Sequence, residues 1–462
     1  MKDLFNRTWF RPALLGLFAL LQLALLFTVA LLRPDFDAAE NAYLQLIAEI
    51  ENSTESSATS GNMLDICAGW GIPSLYPLLL QAASAALRGT GIPIRAIPGL
   101  LNLFLFLLTW PALYFCTRQF IRNPWAAPII PFLYGISAGA AFTVRTAGPY
   151  MLTTLLCVVA VQLLAFIQKK PHSKLLHAGL FLVILSGFLT LYAFAAFTLA
   201  LVLPYAVYCI IRRRYSDMAT TVVTSAAALL TGTILYPACI EQLAASSLPF
   251  TSGYAVRLSA LFSRISTDLF GGLLIPVLVV LILLILAARF FRDAVPKPAA
   301  ELAPAASEPV PAAAATLETS VPTGRDDPAE AAYLRRIARR TRAISIGKRR
   351  PVLSEETCIF LMITATVLLS FLLFPTIHAI FPGSLLRENA GQVTPQLELS
   401  YLLYPLLILI FASLLYRCVP AIGGNRFAAV ILTPGFFIAL SIISFARSGL
   451  LTQNLTFFLF AG

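Results

Sequence analysis

Five carboxylates, Asp35, Asp37, Glu40, Glu49 and Glu51, stand in the stretch RPDFDAAENAYLQLIAEIEN (33–52), directly after a long apolar run. Plotted at about 100° per residue, Ala39, Tyr43, Leu46, Ile47 and Ile50 share one face, with Asp37, Asn41, Gln45 and Glu49 opposite. That is the pattern of a helix lying on a membrane surface. Glu40 falls at the border of the apolar face, near Tyr43, where partial desolvation raises a carboxyl pKa and suits it to proton transfer. The Asp37–Glu40 spacing serves equally as a capping box with Asp37 as N-cap, a reading that needs no function.

The elements around this segment are those of a membrane protein. The chain has 462 residues, 58% hydrophobic and 12% charged, with a mean hydropathy of +0.82. Soluble domains carry roughly 25% charged residues. The first apolar run, 12–32, is too long for the core of a signal peptide and reads as a retained span. Further runs near 96–116, 125–143, 149–168, 175–191, 193–211, 218–240, 270–291, 357–376, 399–416 and 427–446 predict an all-α polytopic membrane protein. The count is about 11 transmembrane helices, range roughly 10–13, with interfacial helices in the first external loop. The seven cysteines show no CxxC or CxxH spacing and read as small packing residues.

The stretch 72–89 is short, proline-broken and weakly apolar, and whether it crosses decides the side of every later loop. Without a crossing there, the segments assigned to the cytoplasm hold 25 of the 33 basic residues and all six lysines. The other side keeps only Arg33, Arg88, Arg95, Arg145, Arg257, Arg264, Arg387 and Arg447. With a crossing, most of the positive charge moves outside, against the positive-inside rule. The non-crossing topology is therefore expected, with a cytoplasmic N-terminus and large external loops at 33–95, 241–269 and 377–398. The plasma membrane of a bacterium is the expected location.

Three regions follow: a transmembrane module over 1–291, a cytoplasmic stretch over 292–354, and C-terminal spans over 355–462. The middle stretch is rich in alanine and proline and predicts a disordered linker. Its end, 328–351, is basic and helix-patterned, which suits either attraction to anionic membrane lipids or simple fixing of topology. The basic residues lack interleaved aromatics, so nucleic acid is not an expected partner.

AENAYLQLIAEI (39–50) resembles the external DE..Y element of bacterial GT-C glycosyltransferases of the dolichyl-phosphate-mannose-protein mannosyltransferase type. Glu40 and Tyr43 match, Ala39 replaces the usual aspartate, and Asp37 stands two residues earlier. Residues 71–104 are similar to the family's proline-rich interfacial helix and following arginine, and 140–160 to its arginine-containing turn. LELSYLLYPLLILIFASLLYR (397–417) resembles its late helix, with Ser400 where arginine is frequent. The resemblance implies a GT-C-like fold and a transfer of sugar from a polyprenyl-phosphate donor to a lipid, glycan or protein acceptor on the outer face. It implies that Asp37 and Glu40 act as catalytic carboxylates and that Tyr43 lies in the substrate site.

The remaining residues suit that chemistry on their own. Transfer to a hydroxyl needs a base within reach of it and cations on the departing phosphate. Every expected external cation is an arginine, which binds phosphate bidentately and keeps its charge. Arg88, Arg95, Arg145, Arg257, Arg264 and Arg387 are the candidates, with Arg145 and one of Arg257 or Arg264 foremost. Each serves equally as a headgroup or helix-end contact. Carboxylates with water could hold a divalent cation, but no spacing requires one, and no metal or other cofactor is expected with certainty. The rival readings are a secondary transporter, which calls for ionisable groups near the membrane midplane and repeated halves, and a non-catalytic scaffold of a glycan-assembly complex.

Overall fold

The computed structural model describes residues 16–17, 19–20, 22–24, 26–27, 43–45, 48, 63–70, 72–87, 90–119, 121, 127–245, 253–294, 355–376, 397–421 and 426–447. Every regular element among them is helical, as hydropathy predicts. After helical positions between 16 and 27 and at 43–45 and 48 come α1 (Met63–Trp70), α2 (Leu75–Leu87) and α3 (Ile97–Arg118). Two short helices follow, α4 (Ile129–Gly135) and α5 (Ala138–Arg145). Four long ones come next: α6 (Tyr150–Lys169), α7 (Lys174–Thr190), α8 (Phe194–Ile211) and α9 (Tyr215–Leu235). Then come α10 (Ala238–Ala245), α11 (Tyr254–Phe270), α12 (Leu274–Ala294), α13 (Glu355–Leu373), α14 (Tyr404–Ala421) and α15 (Arg426–Arg447).

Among the described residues, five helices are long and apolar enough to cross a membrane: Ile94–Arg118, Tyr150–Lys169, Phe194–Ile211, Tyr215–Leu235 and Glu356–Leu373. The pair Tyr254–Phe270 and Leu274–Leu286, bent by 76°, makes a sixth. Leu75–Leu87, Lys174–Thr190, Ser400–Tyr416 and Thr433–Ser444 are shorter apolar helices. The expected span 125–143 is two helices, because Ser137 caps the second one, its hydroxyl accepting from Ala140 N and donating to Tyr134 O. Helix α12 continues to Ala294, and the rest of the expected linker, 295–354, lies outside the described residues.

Long-range polar contacts sort the helix ends into two sets. In one, Lys169 Nζ donates to Gln119 Oε1, Arg214 Nη1 to Gln168 O, and Arg212 Nη2 to Cys358 Sγ. In the other, Asn102 reaches Thr146, Tyr236 reaches Ile72, Tyr254 reaches Leu372, Arg257 reaches Pro375 and Arg264 reaches Tyr401. None of these bonds joins the sets. The first set adjoins the basic stretches 169–174 and 212–214, and the second lies toward the other ends of the same helices. Helix α2, at 13 residues, rises only about 20 Å against a hydrocarbon thickness of about 30 Å. Between the sets, Gln22 donates to Phe132 O and accepts from Trp110 Nε1, tying the first apolar run to α3 and α4.

One apolar core runs from Leu26 and Tyr43 through α3, α6 and α8 to α14 and α15. Buried hydroxyls such as Thr109, Thr117, Thr154, Thr198 and Thr366 donate to the carbonyl one turn back, which satisfies them without a partner helix. Among the described glycines the closest approach is at Gly139, where a Cβ would stand 1.9 Å from the Tyr404 ring. Gly139→Ala should therefore cost about 1–3 kcal/mol by overpacking. Gly16→Ala, with nothing within 4 Å of the new methyl, should not. Thermal unfolding of the two variants in detergent checks the difference.

Candidate functional site

The side of the bundle opposite the basic loops carries a continuous line of aromatic and polar contacts. It starts at Tyr43 in the acidic segment, whose ring packs edge-on against Tyr76 at 5.5 Å and 88°. Tyr43 is buried while Gln45 and Ala48 are exposed, which matches an amphipathic helix. Burial first, then the neighbouring Tyr76 and Cys67, pushes the Tyr43 phenol well up, so it stays protonated. Tyr76 on α2 donates to Asn102 Oδ1 at 3.3 Å, and Asn102 Nδ2 donates to Thr146 O at 2.7 Å. Asn102 is an amide in an apolar span, and the two bonds satisfy both its ends.

Thr146 adjoins Arg145, which is half-buried at the end of α5. One turn earlier on the same helix, Phe142 stacks on Tyr401 with ring centroids 4.2 Å apart. Tyr401 lies in the 3-10 turn Leu397–Leu403 that leads into α14. Its hydroxyl accepts from Arg264 Nη2 at 2.6 Å and Nε at 3.1 Å, and donates to Asp268 Oδ2 at 2.9 Å. Arg264 Nε also pairs with Asp268 Oδ2 at 2.6 Å. Spacing of four residues puts Arg264 and Asp268 on one face of α11.

Helix α11 lies across the ends of other helices rather than beside them. Tyr254 meets Leu372 and Arg257 meets Pro375 at the end of α13, Arg264 meets Tyr401, and Ser444 near the end of α15 donates to Thr267 O. The chain then turns by 76° into α12 through Gly271 and Gly272, both at positive φ, where glycine carries no steric penalty. The Arg264–Asp268 pair thus sits at the level of the helix ends.

The structure brings Tyr43 and Arg264 to one line, and Arg145 directly precedes Thr146, which lies on it. Arg257 is buried, with its Nε committed to the Pro375 carbonyl at 2.8 Å. Arg95 stands exposed in the turn Ile94–Ala96, and none of the contacts named above includes it. Asp37, Glu40, Arg88 and Arg387 lie outside the described residues. Among the described residues no group of three or more His, Cys, Asp or Glu could hold a metal ion. Sequence reading did not single out Asn102, Asp268 or Tyr401. An asparagine inside an apolar run and an Arg–Asp pair four apart were the available signals.

A second cluster pins the chain at α1 and Ile72 from another direction. Tyr192 donates to Gln242 Oε1 at 2.5 Å, Gln242 Nε2 to the Tyr236 hydroxyl at 3.1 Å, and Tyr236 to Ile72 O at 3.1 Å. Cys67 and Cys239 are fully buried among these tyrosines. The chain matches no protein-family model, and no curated protein matches it.

Two outcomes follow. Arg264→Gln should destabilise more than Asp268→Asn, because it strands a carboxylate that is 9% exposed, whereas Arg264 is 39% exposed and can be hydrated. Chemical unfolding of both variants reads the order. Burial pushes the Cys67 thiol up to about 12, so a variant retaining only that cysteine should resist maleimide at pH 8 until denatured. Mass shift on labelling checks this.

Proposed function

We propose that the protein is a membrane glycosyltransferase that moves a sugar from a polyprenyl-phosphate donor to an acceptor hydroxyl on the outer face of the membrane. The observation that carries this reading is the line from Tyr43 through Tyr76, Asn102 and Phe142 to Arg264. Along it Tyr43 and Arg264 lie toward the same end of the described bundle, opposite the basic loops, and Arg145 is the sequence neighbour of Thr146 on that line. Glu40 precedes Tyr43 by three residues and Asp37 by six.

In this reading Glu40 or Asp37 takes the acceptor hydroxyl proton as that oxygen bonds to the sugar's anomeric carbon. The bond from that carbon to the phosphate oxygen breaks, and its electron pair leaves with the lipid phosphate. Arg145 and Arg264 oppose the negative charge that develops there. Tyr401 and Asp268 hold the guanidinium of Arg264, so it is pre-oriented but partly neutralised. A transporter would place its charges near the midplane. Here the Arg264–Asp268 pair lies on a helix that crosses helix ends, which favours surface chemistry over passage through the bundle.

The test is turnover of a lipid-linked sugar by the purified full chain. Asp37→Asn with Glu40→Gln should lower kcat by about 10²–10⁴-fold. Arg145→Lys should weaken donor use, since a point charge replaces a bidentate one. Wild-type rates in the double carboxylate variant would remove the acidic segment from the chemistry and leave a scaffold role.

A further inference from the structure

A guanidinium has two edges on which a bidentate partner can sit, one made by Nε and Nη2, the other by Nη1 and Nη2. In Arg264 the first edge is taken. Nε and Nη2 both donate to the Tyr401 hydroxyl, at 3.1 and 2.6 Å, and Asp268 Oδ2 stands 2.6 Å from Nε. Tyr401 gives its own proton to Asp268 Oδ2 at 2.9 Å, which closes a ring of contacts among the three side chains. No hydrogen bond from Arg264 Nη1 is made among the described residues.

The taken edge is fixed from behind. The Tyr401 ring stacks on Phe142 at 4.2 Å and meets Tyr404 edge-on at 5.1 Å. Tyr404 in turn lies tight against Gly139. The hydroxyl is thus held in place, and the guanidinium meets it there. Burial separates the three members of the ring. Tyr401 is almost fully buried, and the side chain of Asp268 is 9% exposed against 39% for Arg264. Arg264 is the member open to its surroundings, with its Nη1–Nη2 edge left for an outside anion.

An edge of this kind matches two oxygens of a phosphate. Asp268 works against that match. Its carboxylate brings the net charge of the pair to zero and repels an anion arriving on the far side of the same guanidinium. Hydrogen bonding does not require an acid at this position. Tyr401 already supplies Nε and Nη2 with an acceptor, and an asparagine would accept the Tyr401 proton as well as aspartate does. What only a carboxylate adds is negative charge.

We propose that Asp268 is an internal competitor for phosphate at Arg264: it keeps the guanidinium partly neutralised, so that a phosphate group both binds on the outer edge and leaves it. The inference deepens the glycosyltransferase reading and rests on its placing of Arg264 at the donor phosphate. In that reaction the donor is a phosphodiester with one negative charge, whereas the departing lipid phosphate is a monoester with nearly two at neutral pH. Asp268 therefore acts most strongly against the product and favours its release.

Calorimetric binding of farnesyl phosphate to the purified full chain in detergent tests this without sugar or acceptor. Inorganic phosphate as competitor tells whether the edge takes free phosphate or only a lipid-borne one. Asp268→Asn should bind farnesyl phosphate about tenfold tighter or more, because the like charge is gone while the Tyr401 contacts persist. Tyr401→Phe should bind it several-fold more weakly, since Arg264 is then free to turn both its edges toward Asp268. A role in packing alone would weaken both variants alike. Arg264→Gln combined with Asp268→Asn strands no buried charge, so it folds, and it should lose at least about tenfold in affinity. Affinity in Asp268→Asn equal to or below that of the wild type, or wild-type affinity in the double variant, would overturn the proposal. Turnover of a lipid-linked sugar that persists beside such a result would retain the transferase reading alone. Tightening in Asp268→Asn without turnover would retain the phosphate site alone.

Discussion

Hydrocarbon offers no hydrogen bonds, and that constraint organises this protein. Each polar group must find its partner inside the chain or lie at a level where water and headgroups can serve. Hydroxyls within the helices turn back onto their own carbonyls. Gln22, Trp110 and the Phe132 carbonyl form a small polar knot between the two sets of ends. The remaining long-range polar contacts described above gather at the ends of the helices. The bundle consequently has two chemically different surfaces joined by an apolar middle.

The surface opposite the basic loops is the more elaborate. Helix α11 crosses three helix ends and then bends into the bundle at Gly271 and Gly272. Such a transverse element can carry an Arg–Asp pair that would be costly deeper in the membrane. It also gives Tyr401 two neighbours at once, Phe142 from one side and Arg264 from the other. The aromatic contacts contribute shape and rigidity, while the polar ones set orientation. A guanidinium held on two sides has little rotamer freedom left, which is a requirement for a preorganised electrostatic contact.

Much of the fold was legible in the residues. Apolar runs marked the long helices, and within 72–89 the helix α2 is 13 residues long, short for a span. The pattern of 39–50 placed Tyr43 on a buried face. Other features were hidden for definite reasons. The break between α4 and α5 depends on one serine cap inside an otherwise apolar stretch, which hydropathy averages away. Arg95 and Arg257 look alike in sequence, yet one is exposed and the other buried on a carbonyl 118 residues distant. The partners of Asn102 come from two other segments, and one is a backbone carbonyl that no residue type advertises.

Composition and hydropathy by themselves determined that the chain is helical with membrane-spanning character, and which stretches are apolar enough to lie in a bilayer. These are sums over many residues, and transfer energies and charge bias are nearly additive along a chain. Only the tertiary structure decided that Tyr43, Asn102, Phe142 and Tyr401 form one line ending on Arg264 and Asp268. It alone revealed that Gln168 and His177 are buried with side-chain atoms that have no hydrogen-bond partner among the described residues. Those facts are pairwise and directional, set by helix register and packing angle, and a hydrogen bond made or missed across more than a hundred residues leaves no trace in local sequence.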